Sequence, residues 1–293
     1  TGGQLSIGFV AVGVFFSISG FLIDRSLERS RSLASFAQKR FLRIAPGLWV
    51  SLAATTAFAG AFLAADGWKL FARSTTWAFL GNALLLPAPQ TLPGVFEHAP
   101  WPQAFNGSLW TLKYEALCYG LTVLIAMLRP FRAPGLIALW LVALVASNLT
   151  DVEQATGVRY HLLRLLEMFQ FFGFGMILNQ YKFRIPQSTA AALALLALWL
   201  AMLWTPFARL AAPLLLTYPV IALGAAHSSL AHGLTSRGDM SYGVYVYAFP
   251  IQQLFTPLSL AAGAPWAANI LLALPVTYLV AVASWLYVEK PML

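Results

Sequence analysis

An all-α, polytopic membrane helix bundle is the fold class that the sequence predicts, and three observations carry the prediction. First, 59% of the 293 residues are hydrophobic and only 10% are charged, with a mean hydropathy of +0.73. A soluble domain carries about 25% charged residues. Second, apolar runs of roughly 20 residues, the length that crosses a bilayer as a helix, recur along the whole chain. Third, the cations cluster at the ends of those runs. The net charge of +8 is therefore read as orientation signals and not as a nucleic-acid surface.

By length and hydropathy the spans fall near 5–23, 44–65, 107–128, 134–149, 163–180, 188–205, 209–227, 240–258 and 266–287. That is about nine spans within one membrane domain covering 1–293. The run 134–149 is short and needs its flanks to cross. A further apolar piece, 70–86, is interrupted by Arg73 and Asn82 and leads into the Pro-rich segment 87–102. Charge decides how it is read. The segment 24–43, read as a loop, holds six cations: Arg25, Arg29, Arg31, Lys39, Arg40 and Arg43. Further cations are Arg129, Arg132, Lys182, Arg184, Arg237 and Lys290. All of them share the cytoplasmic side only if 70–86 does not cross. The stretch 66–106 then forms an extracytoplasmic excursion, Thr1 starts outside and the C-terminus is cytoplasmic.

The lone cysteine, Cys118, excludes an intrachain disulfide and a Cys-based metal site, and no His/Glu spacing suggests a metal. No internal repeat stands out, which weakens a transporter reading. His98, His161, His227 and His232 all fall in loops or just before a helix by this reading.

Three groups carry candidate chemistry. Glu115, in NGSLWTLKYEALCYG (106–120), lies about two turns inside a helix capped by Asn106 or Ser108. It either pairs with an Arg to hold helices together or faces a polar cavity. Arg40 and Arg43 share a helix face at i,i+3, with Lys39 beside them; they are topology signals or a phosphate site. In DMSYGVYVYAFP (239–250), Tyr242, Tyr245 and Phe249 recur at helical spacing and form an interfacial belt or a hydroxyl-bearing binding face.

Five segments together resemble the acyltransferase 3 family of integral membrane O-acyltransferases of surface polysaccharides. They are GVFFSISGFLI (13–23), KRFLRIAPGLW (39–49), NGSLWTLKYEALCYG (106–120), SYGVYVYAFPIQQ (241–253) and YVEKPML (287–293), and they stand in family order. The resemblance implies ten spans, the first of them missing ahead of Thr1, in a bacterial inner membrane. It implies acyl transfer, commonly acetyl from acetyl-CoA as co-substrate with no bound cofactor, to a hydroxyl of a sugar or cell-envelope glycan. The family's first helix carries an Arg followed by a His, the proposed base; this His is expected upstream of Thr1. Many members also have His where this chain has Ala248.

On this reading Lys39, Arg40 and Arg43 bind the acyl-CoA donor. Glu115 orients the base, and Asn106, Trp110, Tyr242 and Tyr245 contact the acceptor. The bilayer, acyl-CoA and a saccharide are the expected partners. A flippase for lipid-linked saccharide and a non-catalytic acyltransferase-like binding protein are the rival readings.

Overall fold

The structure is a computed structural model describing residues 5–97, 99–101, 104–128, 130–225 and 238–293. His98, His227, His232, Arg129 and Arg237 lie outside the described residues. Among the described residues, nine helices occupy the positions of the predicted spans. They are α1 (Ile7–Glu28), α2 (Leu33–Phe62), α4 (Leu112–Met127), α5 (Arg132–Leu149), α6 (Gly157–Gln180), α7 (Thr189–Met202), α8 (Ala208–Ala225), α9 (Ser241–Leu260) and α10 (Pro265–Ser284). Six helices among the described residues are long and apolar enough to cross a membrane, and others are shorter apolar helices. Large apolar side chains such as Leu22, Leu124, Leu198, Leu271 and Leu279 are exposed. In a membrane protein such side chains face lipid. The chain is an integral, multi-pass membrane protein.

The segment 70–86 contains no helix of spanning length. It folds as a 3₁₀ turn (Gly67–Ala72), the seven-residue α3 (Ser74–Leu80) and a second 3₁₀ turn (Gly81–Leu84). Polar groups tie these pieces together, as Thr76 donates to the Leu70 carbonyl and Asn82 Nδ2 to those of Phe79 and Pro89.

Two boundaries depart from the sequence reading. The 24–43 segment is not a loop: α1 runs through Glu28 and α2 starts at Leu33. The residues LASFAQKRFLR contain no Gly or Pro, and their Ala, Leu, Gln, Lys and Arg are strong helix formers. Ser32 starts the helix by accepting the Ser35 amide at 3.1 Å. Lys39, Arg40 and Arg43 therefore ride on a 30-residue helix. At 1.5 Å per residue it is about 45 Å long, well beyond the hydrocarbon thickness of about 30 Å. That excess length lets the cations sit at a membrane surface. Likewise His161 does not precede a helix, because α6 begins at Gly157, six residues ahead of the predicted span.

The chain divides into two units, Thr1–Phe36 with Tyr114–Ala231, and Ala37–Lys113 with His232–Leu293. In the first, α1 lies along α6, with α5 and α8 flanking and α7 on α8. Small residues bring α1 and α6 close, the usual device where lipid tails remove any hydrophobic drive between helices. A methyl added at Gly20 would overlap the Phe172 carbonyl oxygen, and one at Gly175 the Ser17 carbonyl oxygen. In the second unit α9 and α10 pack together, and the 3₁₀ turn Gly107–Thr111 sits on α9.

That turn is irregular backbone, and side chains satisfy it. Asn106 caps Ser108 at 3.1 Å while its Nδ2 donates to the Val246 carbonyl at 2.8 Å. Gln253 donates to the carbonyls of Trp101 and Ala104 at 2.7 and 3.1 Å. Buried peptide groups need such partners where water is excluded.

Gly20→Ala should lower the thermal midpoint of the detergent-purified protein, by the roughly 1–3 kcal/mol of an overpacked contact. Gly120→Ala meets open space inside a helix and should be neutral or stabilising by about 0.5–1 kcal/mol. Equal melting of the two variants would contradict the close α1–α6 approach.

Candidate functional site

The predicted site residues are distributed over the two units. In the second unit lie Lys39, Arg40, Arg43, Asn106, Trp110, Tyr242 and Tyr245; Glu115 lies in the first.

Arg43 is the centre of the second unit's polar cluster. Its Nη2 donates to Asp239 at 2.5 Å, and its Nη1 stands 3.5 Å from Glu289. The Tyr242 ring lies under the guanidinium, 5.9 Å from centroid to Cζ. Glu289 is only 2% exposed, and Ser284 donates to its Oε1 at 2.9 Å. Local geometry turns the carboxylate inward: residues Trp285–Glu289 form a π-helical turn at the end of α10. Such turns cluster at functional sites.

Asp239 follows Gly238, whose φ of +119° suits glycine alone. A Cβ there would also collide with the Trp285 indole. Asp239 then accepts from the Ser241 amide and hydroxyl at the start of α9.

Tyr242 is buried and donates to the Ile44 carbonyl at 2.9 Å. That carbonyl is one residue after Arg43. Gly47, one turn further on, leaves room for the tyrosine ring, which a Cβ would strike. Lys39 is exposed and Arg40 half-buried, with its Nε enclosed and lacking a hydrogen-bond partner. Tyr245 is hydrogen-bonded to Thr111, and a Cβ on Gly107 would strike the ring of Phe249. The aromatic face of α9 is thus partly interior packing against the 107–111 turn. Trp110 is half-buried in that same turn.

In the first unit Glu115 is 6% exposed. Its Oε1 accepts from Tyr119, one turn along α4, and from Ser19 of α1 at 3.4 Å. Two hydroxyls therefore solvate this carboxylate where water would not. The neighbouring Tyr114 hydroxyl is 2.9 Å from Nδ1 of His161.

Two further buried carboxylates lie in the first unit. Asp24, fully buried, accepts from Arg132 Nη2 at 2.5 Å and from Asn179 at 2.8 Å. Glu167, 1% exposed, accepts from Arg164 at 2.6 Å and from Arg209. Sequence reasoning passed over both, and treated Glu289 only as part of a terminal motif. The signal for Glu167 was present, since an acid inside an apolar run demands a partner; Asp24 and Glu289 fall just outside the runs read as spans.

No group of three or more potential metal ligands occurs among the described residues.

The chain is 31% identical to an O-acetyl transferase of Shigella phage Sf6, over 85% of this chain and 75% of that protein. It is 28% identical to nodulation protein 10 of Rhizobium leguminosarum bv. viciae, over 96% and 81% of the two chains. It is 30% identical to the exopolysaccharide production protein ExoZ of Rhizobium meliloti (strain 1021), over 100% and 92%. No solved structure gives a significant match. The acyltransferase 3 profile, an acyltransferase domain, matches residues 1–288. With its membrane helices, its segment order and this near-complete match, the chain belongs to the acyltransferase 3 family and is an acyltransferase of groups other than amino-acyl groups.

Proposed function

We propose that the protein moves an acetyl group from acetyl-CoA to a sugar hydroxyl of a cell-surface polysaccharide. The observation that carries the donor half is the fixed guanidinium of Arg43, held between Asp239 and Glu289 beside Arg40 and Lys39. The relatives' names support the acceptor half, since one is an O-acetyl transferase and another an exopolysaccharide production protein.

The two carboxylates on Arg43 differ in a way that suits a phosphate ligand. Asp239 is 59% exposed, whereas Glu289 is buried. An incoming phosphate displaces the exposed partner, while Glu289 and the Tyr242 ring keep the guanidinium aimed. Guanidinium forks take phosphate oxygens bidentately, and the phosphates of the donor stay at the cytosolic surface where a long α2 carries its cations.

In the transfer the acceptor oxygen attacks the thioester carbonyl. A C–O bond forms, the C–S bond breaks, and the CoA sulfur leaves as thiolate. The hydroxyl proton passes to a general base, most often His in such reactions. Glu115, held by Ser19 and Tyr119, serves as the anionic partner that orients the base and stabilises its protonated form. Asn106, Trp110, Tyr242 and Tyr245 remain the proposed acceptor contacts. Asn106 and Tyr242 already spend hydrogen bonds on backbone carbonyls, which makes them positioning residues for that surface. The bacterial inner membrane with a cytoplasmic C-terminus is the proposed setting.

Arg43→Gln should raise the KM for acetyl-CoA at least tenfold while the protein still inserts. Glu289→Gln should do the same in part, because it loosens Arg43 without removing it. An unchanged donor KM in both variants would defeat the donor assignment.

Glu115→Gln keeps the shape of the side chain and removes its charge. Loss of an orienting carboxylate costs up to about 10⁴ in turnover, while one peripheral hydrogen bond costs on the order of 1 kcal/mol. We expect a well-folded variant with turnover reduced by two or more orders of magnitude. A folded variant of near-normal turnover would remove Glu115 from the reaction.

A further inference from the structure

A cleft in the first unit lies where α1 ends, α2 begins and α4 gives way to α5, beside the Asp24–Arg132 pair. Its volume is about 350 Å³, and Arg31, Ser32, Arg132 and Glu28 line it together with the apolar Leu33 and Met127. We propose that this cleft binds the phosphate of an anionic membrane lipid. The proposal stands apart from the acyl-transfer reading and needs none of its residues.

Charge makes the first argument. Of the two arginines, Arg132 is already neutralised, with Nη2 on Asp24 and Nη1 3.6 Å from Glu28. Glu28 is further occupied by Lys182 at 3.2 Å. Arg31 is exposed, and no described carboxylate lies within ion-pairing distance of it. The cleft therefore presents one uncompensated guanidinium beside a compensated one. The Ser32 hydroxyl, whose oxygen accepts the Ser35 amide, keeps its proton to donate.

Depth makes the second. The cleft lies where α1 and α4 end and α2 and α5 begin, and the ends of membrane helices meet the headgroup layer. Basic pockets between helices at that level are the usual sites for anionic headgroups.

The apolar lining makes the third. Leu33 and Met127 are 48% and 66% exposed, so apolar surface continues from the cleft outward. A glycerol backbone and the first methylenes of an acyl chain cover such a surface. A free phosphate has no use for it.

The test is a lipid titration of the detergent-purified protein by native mass spectrometry. Phosphatidylglycerol and phosphatidylcholine of the same chain length are compared on the unmodified protein, Arg31→Gln and Arg29→Gln. Arg29 is a neighbouring exposed cation outside the cleft. Arg31 has no described partner to lose, so its substitution leaves the fold intact.

A cation near a membrane surface contributes about 1 kcal/mol to binding an anionic lipid. Phosphatidylglycerol affinity should thus fall about fivefold in Arg31→Gln, with phosphatidylcholine binding and Arg29→Gln unaffected. Three results would overturn the proposal. One is equal affinity of the unmodified protein for both lipids. Another is an equal loss in both variants, which would make the cations general surface charge. The third is displacement of the lipid by millimolar inorganic phosphate, which would identify a soluble anion as the occupant.

Discussion

Charge that cannot leave an apolar surrounding is the constraint on which this structure depends. Asp24, Glu167 and Glu289 are each at most 2% exposed, and each is met by at least one arginine. A buried acid stripped of its partner costs roughly 3–5 kcal/mol, so these pairings limit which helices lie side by side. Asp24 with Arg132 and Asn179 joins α1, α5 and α6 at one end of the first unit. Glu167 with Arg164 and Arg209 joins α6 to α8. Glu289 with Arg43 joins the end of α10 to α2 in the second unit. Glu115 accepts hydrogen bonds from the hydroxyls of Ser19 and Tyr119.

Helix contacts follow the same economy. With lipid on the outside, packing rests on close approach, and α1 reaches α6 because Gly20 and Gly175 carry no side chain. In the second unit the irregular 104–111 segment survives because Asn106 and Gln253 serve its backbone. Polar side chains placed for structure also shape the surface where Tyr242 and Tyr245 stand.

Much of the fold was legible in the sequence because hydropathy reports lipid contact directly. Each predicted span has its helix, and the interrupted 70–86 run forms only short pieces. Boundaries were less legible. The cations between 24 and 43 read as a loop because charge marks membrane exit, yet helical hydrogen bonds continue regardless of depth. Glu115 was legible as an acid within an apolar run. Its partners were not, since Ser19 lies 96 residues away in sequence. Arg43 was legible as a cation after an apolar run. That Asp239 and Glu289 close on it, 196 residues away in the first case, is a fact of tertiary structure. His161 was read as lying just before a helix, and the early start of α6 brings it to Tyr114.

The central claim is that the donor's phosphates meet the cations of α2 beside Glu289. A photoreactive acetyl-CoA analogue tests it most directly, with labelled positions mapped by mass spectrometry and unlabelled acetyl-CoA as competitor. The account predicts competed labelling within Lys39–Ile44 and in the peptide carrying Glu289. Labelling elsewhere that acetyl-CoA competes away, with these two segments untouched, would contradict it.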